Sequence, residues 1–177
     1  MRSKRDQIVT AALRRYRTSG VSGTTLKDIA EVSGVPLGNL YYYFKTREEL
    51  LLAVLDECER ELHILLTQLA PLMGKAWYTA YFDWLLEDPE DAARFGCPFG
   101  TLAAELRALD DPSAPRAARV VQLYLQALRE RADTLDRPDA ADDLFGAVQG
   151  AYMVAHTLND PAFFVQVVQR LRTRLQL

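Results

Sequence analysis

Three features of the sequence predict an all-α fold. Every long segment carries apolar residues at three-and-four spacing, and none sustains period-two alternation. Glycines and prolines fall near the ends of those segments, where helices stop or start. At 49% hydrophobic and 25% charged residues, the composition is that of a globular chain with ample apolar surface to bury.

About nine helices are expected. The first starts at Ser3, which pairs with Asp6 for a cap, and places Ile8, Val9, Ala12, Leu13 and Tyr16 on one face before Gly20 stops it. Thr25 and Asp28 open a short second helix that Gly34 ends. Pro36 opens a third at a first-turn position and carries it to about Phe44. Thr46-Arg47-Glu48-Glu49 reads as a capping box for a long fourth helix. Its apolar stripe runs from Leu50 to Leu69, and with an end near Met73 it spans about 40 Å.

A fifth helix covers about Ala76 to Leu86, closed by Pro89, and a loop through Gly96-Cys97-Pro98 leads to a sixth from about Phe99 to Leu109. Asp111-Pro112 breaks the chain before a seventh, about Ala114 to Thr134. Arg137-Pro138 separates that from an eighth, about Asp139 to Leu158, and Asn159-Asp160-Pro161 starts the ninth.

Charge divides the chain unevenly. Residues 1–47 hold nine basic and three acidic side chains, a net +6, which leaves −9 on the remainder of a chain at −3. A basic head on an acidic body is the footprint of a polyanion-binding module joined to another domain. Chance clustering of surface charge is the plainer alternative. The expected division is 1–47 for the head and 48–177 for the body.

The head contains Thr25-Leu-Lys-Asp-Ile-Ala-Glu-Val-Ser-Gly-Val-Pro-Leu-Gly-Asn-Leu-Tyr-Tyr-Tyr-Phe-Lys45. Two short helices that cross steeply need a small residue at the crossing, which Ala30 supplies. The turn needs a residue tolerant of positive φ, which Gly34 supplies. Ile29, Val35, Leu40 and Phe44 can then pack beneath, leaving Pro36, Leu37, Gly38, Asn39 and Tyr42 outward. An ordinary αα-hairpin ending in glycine is the competing reading.

The stretch TTLKDIAEVSGVPLGNLYYYFKTREELL resembles the N-terminal signature of the tetracycline-repressor (TetR) family, and the likeness covers about the first fifty-five residues. It implies a homodimeric repressor that binds a double-stranded operator and is released by a small-molecule effector. Carried onto this chain, the phosphate contacts fall on Thr24 or Thr25, Lys27, Tyr41, Tyr42 and Lys45. Hydroxyls, ammonium groups and a helix N-terminus suit phosphate oxygens. The base-reading positions fall on Pro36, Leu37, Gly38 and Asn39. Leu37 stands where many relatives carry lysine, so a guanine contact is lost; a thymine methyl is the alternative partner. Direct readout is thin, which leaves a share for DNA shape. Tyr41, Tyr42 and Tyr43 cannot all face DNA, and Tyr43 is assigned to the core.

In the body, the last two helices carry Leu144, Val148, Ala151 and Ala155, then Phe163, Phe164, Val167 and Leu171. Small residues at Gly146, Ala147, Gly150 and Ala151 allow close helix approach. Two such helices per subunit make an intersubunit four-helix bundle, as the resemblance implies; intramolecular burial is the alternative. Aromatic residues also concentrate here, with Trp77, Tyr81 and Trp84 on one face of the fifth helix. The resemblance places the effector pocket among the fourth to eighth helices. The candidates are Leu62, Trp77, Tyr81 and Phe99, with Leu102, Tyr124, Gln149 and Tyr152, for a moderately hydrophobic effector. For any one of these residues, a place in a plain helical core is the better reading.

Cys97, just before a helix and near Arg94, raises a second possibility, a repressor sensing oxidants or electrophiles through its thiol. Cys58 lies on the apolar stripe of the fourth helix and reads as core. His63 and His156 lie in no catalytic motif, and the sequence carries no phosphate loop, metal-ligand spacing or nucleophile elbow. No enzyme, cofactor or metal is therefore expected. The remaining rivals are a helical interaction protein and a DNA organiser without an effector. Met-Arg-Ser-Lys-Arg-Asp-Gln is not a secretory n-region followed by an apolar stretch, and no apolar run approaches about 18 residues. With two cysteines and no disulfide framework, a cytoplasmic protein with no membrane partner is expected.

Overall fold

The computed structural model describes residues 3–132 and 139–175, and within them the fold is all-α with ten helices. The predicted helix end at Thr134 and the break at Arg137-Pro138 lie outside the described residues.

The head is built from local signals. Helix α1 (Lys4–Ser19) starts on a reciprocal cap, with Ser3 Oγ accepting from the Asp6 amide at 3.1 Å and Asp6 accepting from the Ser3 amide at 3.2 Å. Helix α2 (Leu26–Ser33) starts the same way on Thr25 and Asp28 and ends at Gly34, whose φ of 66° is open to glycine at no steric cost. Helix α3 (Leu37–Tyr43) follows, with Pro36 at its N-cap rather than inside its first turn.

Helix α4 (Arg47–Leu69) is capped by Thr46 Oγ1, which accepts from the Glu49 amide at 3.0 Å. The expected box is displaced: the Glu49 carboxylate takes the Lys45 amide at 2.7 Å, one residue before the cap. The helix ends four residues earlier than predicted. Pro71 follows at once, and its ring would meet the carbonyl of the preceding turn.

Helix α5 (Gly74–Leu85) precedes a helix that the sequence reading assigned to a loop, α6 (Pro89–Phe95). Pro89 does not close the fifth helix; it occupies the first turn of the sixth, and Asp88 caps it by accepting from the Asp91 amide at 3.1 Å. This accounts for the tenth helix. Then come α7 (Thr101–Ala108), α8 (Ala114–Ala132), α9 (Ala140–Leu158) and α10 (Pro161–Arg174). Asp160 caps the last by accepting from the Phe163 amide at 3.1 Å.

Helix α4 is the shared axis. It packs on α1 at one end and on α8 at the other, and α9 packs against α6, α8 and α10. Leu50, Val54, Leu55, Cys58 and Leu62 run the buried core from head to body.

The head is also fixed to the body by polar joints. The Glu105 carboxylate on α7 accepts from the Val21 amide (2.9 Å), the Ser22 amide (3.0 Å) and the Ser22 hydroxyl (3.1 Å). Arg17 on α1 donates to Glu61 on α4 at 2.8 Å and to the Pro98 carbonyl at 2.9 Å. Within the head, Arg47 at the start of α4 donates to the Val21 carbonyl.

Candidate nucleic-acid interface

Helix α3 has two unlike sides. Leu40 is fully buried, Val35 and Phe44 flank it, and together with Ile29 they seat the helix on α2 and the core. On the other side Pro36, Leu37, Gly38, Asn39, Tyr41 and Tyr42 are exposed, Tyr42 by 75%. Tyr43 is half-buried against the core, and its ring meets Tyr42 edge-on at 5.3 Å. Lys45 is exposed just past the helix, with its ammonium 5.8 Å from the centre of the Tyr42 ring. That contact orients a cation beside a hydroxyl, both facing solvent.

Gly38 has open space where a Cβ would stand, with no atom within 4 Å. The protein's own packing does not require a glycine there. A glycine inside a helix costs about 0.5–1 kcal/mol relative to alanine. What it provides is a helix surface that an external body can approach closely.

The N-terminal end of α2 is partly committed. Thr25 and Lys27 are exposed. The Thr25 hydroxyl donates to Asp28 at 2.7 Å, and that bond with the Thr25 amide holds the Asp28 carboxyl below its ordinary range. Thr24, named as a phosphate contact from the sequence, is 3% exposed and its hydroxyl donates to the Gly20 carbonyl at 2.7 Å. It is a structural brace within the α1–α2 loop, and Thr25 is the exposed one of the pair.

Comparison with known proteins places this geometry. The family model described as bacterial regulatory proteins, tetR family, matches residues 8–54. The transcriptional regulator RutR of Escherichia coli K12 is 31% identical over 191 aligned positions, which span 96% of this chain and 87% of RutR. The chain belongs to the TetR family of transcriptional regulators. An uncharacterised regulator from Lactococcus lactis is also 31% identical, over 63% of this chain and 59% of its own length. A TetR regulator from Legionella pneumophila has the same fold, with a TM-score of 0.82 at 18% identity over 98% of both chains. No helix among the described residues is long and apolar enough to cross a membrane.

In the body of this TetR-family regulator, the residues predicted to line a pocket pack on one another. Tyr81 and Tyr124 share a hydroxyl–hydroxyl bond of 2.6 Å, Trp77 stacks on Tyr81 at 5.5 Å, and Phe99 meets Tyr124 edge-on at 5.4 Å. Leu62 and Leu102 are buried in the same core. Gln149 is half-buried and its Nε2 lacks an acceptor among the described residues. Seven of the eight are buried, and what they line is mostly each other. A cavity of about 190 Å3 opens instead where α1, α5, α6 and α9 meet, and Tyr152 is the predicted residue on its wall. Arg17, Trp84 and Phe95 also line it and were not among the pocket candidates. Trp84 shares its helix face with Trp77 and Tyr81, which was the available signal.

The predicted dimer residues divide. Val148, Ala155 and Phe164 are fully buried inside the protomer, and Leu144 and Ala151 nearly so. They close α9 onto its own neighbours and cannot face a partner. Phe163, Val167 and Leu171 are half-buried at the edge of the core. The outward side of α9 carries Met153, 65% exposed, and Leu158, 62% exposed, beyond open surface at Gly146 and Gly150.

Cys97 is not placed to react. It is 4% exposed, and burial pushes its thiol up, against the opposing pull of the neighbouring Phe99 and Gly100 amides. Arg94 lies over Phe95 at 5.1 Å instead. Cys58 is buried as expected, its thiol pushed up to about 11.

Proposed function

We propose that the protein is a homodimeric, effector-released repressor whose head is residues 1–47 and whose sensing and dimerisation body is residues 48–177. The observation that carries this reading is the two-sidedness of α3: a fully seated inner face under an outer face of glycine, leucine, asparagine and tyrosine, with Lys45 alongside. That outer face fits a major groove. Thr25, Lys27, Tyr41, Tyr42 and Lys45 hold phosphates and set the register. Pro36, Leu37, Gly38 and Asn39 lie against base edges, Leu37 against a thymine methyl and Asn39 toward an adenine. Thr24 drops out because it is buried, with its hydroxyl turned to the Gly20 carbonyl.

The dimer forms through the outer face of α9 and the adjoining edge of α10. Met153, Leu158, Phe163 and Val167 supply apolar area there, and Gly146 and Gly150 allow close approach. Two heads so held read half-sites about 34–36 Å apart on a palindromic operator. Such a protein works on DNA in the cytoplasm. The thiol-sensing alternative is not favoured, because Cys97 is sealed from water.

An electrophoretic shift assay on duplex DNA flanking the protein's own gene tests the reading. The expected result is a shift whose salt dependence flattens by about one unit in Lys45→Ala. Absence of any duplex affinity at low salt would sink the repressor, and an unchanged slope would remove Lys45 from the interface.

A further inference from the structure

The cavity where α1, α5, α6 and α9 meet holds about 190 Å3. An apolar cavity of about 150 Å3 already accepts benzene, so one aromatic ring with a short arm fits here. Its inner wall is apolar, with buried Leu85 and Ala92 beside the rings of Trp84 and Phe95. Its outer rim is acidic, with exposed Glu87, Asp88 and Asp91.

Two polar groups of the lining are unused. Tyr152 is 5% exposed, and its hydroxyl makes no hydrogen bond to a described residue; burial alone leads the causes that push it upward. Arg17 Nε is buried without an acceptor among the described residues. The Arg17 guanidinium is neutralised by Glu61 at 2.8 Å, so the rim carboxylates set the sign of the site. Asp88 spends one oxygen capping α6, which leaves Glu87 and Asp91 as the freer pair.

We infer that this cavity is the effector site and that it takes a single-ring aromatic cation. This rests on the repressor reading for the word effector, but not for the site itself. The ring packs on the apolar wall of Leu85 and Ala92 beside the edges of Trp84 and Phe95; Tyr81 and Phe99 already stack on Trp84 and Arg94 lies over Phe95, so the charge selection comes from the rim carboxylates. The ammonium sits at the rim beside Glu87 and Asp91, and the Tyr152 hydroxyl accepts an N–H from the arm. The site reports to the head through Arg17. That one side chain lines the cavity, ends α1, and ties it to Glu61 and the Pro98 carbonyl. A ligand that bears on Arg17 therefore bears on the seat of α1 as well, and it releases DNA to the extent that it favours one position of the head over another.

Calorimetry of the whole protein without DNA tests the site with benzylamine, benzyl alcohol and benzoate. Benzylamine is expected to bind once per protomer, at least tenfold tighter than benzyl alcohol, with benzoate weaker still. The double variant Glu87→Gln, Asp91→Asn, checked for an unchanged helical spectrum, loses about tenfold for benzylamine and little for benzyl alcohol. Tyr152→Phe loses a few-fold. Benzoate binding as well as benzylamine, equal affinity in the double variant, or no binding of any probe overturns the proposal. A shift assay then separates the two readings. Benzylamine bound without loss of operator affinity overturns its role as effector class. A protein with no operator affinity at all sinks the repressor, while the calorimetry still decides the cavity.

Discussion

Thiols become reactive where water and positive charge reach the sulfur. Cys97 has a helix N-terminus nearby, but the α6–α7 loop folds it inward beneath Gly100, and burial outweighs the pull of the neighbouring amides. Cys58 is similarly sealed, with its thiol near 11. Both stay protonated at pH 8. Iodoacetamide at that pH is expected to label neither in the native protein and both after denaturation, read by mass spectrometry; rapid native labelling of Cys97 would restore a thiol sensor. Gly38 gives the opposite case, an exposed residue whose identity the fold does not demand. Gly38→Ala should stabilise the protein by about 0.5–1 kcal/mol and weaken operator binding. Stabilisation with unchanged DNA affinity would show that nothing approaches α3 at that point.

At the scale of single helices, caps decide where elements begin. Ser3, Thr25, Thr46, Asp88 and Asp160 each accept an amide of their helix's first turn. Thr25 and Asp28 matter most for the interface, because they fix the end of α2 that is proposed to face phosphate. The Thr25 hydroxyl and amide hold the Asp28 carboxyl below its ordinary range. A carboxyl depressed in the folded state stabilises above its unfolded value, near 3.9, and that contribution disappears as pH falls through the folded value. Thr25→Ala removes the main cause. It should cost about 1 kcal/mol at neutral pH and make urea stability less steep in pH below about 4. An acid limb as steep as in the parent protein would detach Asp28 from the cap. Pro89 shows how an element can be missed: a proline read as a stop was a first-turn residue behind an aspartate cap.

Across the whole molecule, two polar joints hold the head on the body, Glu105 against the α1–α2 loop and Arg17 against Glu61 and Pro98. They tie the α1–α2 loop to α7, and the end of α1 to α4 and the α6–α7 loop. Assembly is the other whole-molecule question. Met153→Asp puts a charge on the open face of α9 and touches no buried residue. It should turn a dimer into a monomer in sedimentation at micromolar concentration, with the helical spectrum retained. An unchanged sedimentation coefficient would move the interface elsewhere.

The head and most helix starts were legible in the sequence because their causes are local. A cap acts over three residues, Gly34 at a single backbone position, and helical periodicity over two turns. Which apolar face turned inward was not legible. Val148 and Phe164 are as apolar as Met153 and Leu158, and only the packing of α9 against α6, α8 and α10 sorted them. The cavity likewise depends on Arg17 meeting Pro98 across 81 residues of chain. Burial is set by what distant segments bring opposite a side chain, and that sum exists only once the helices have packed.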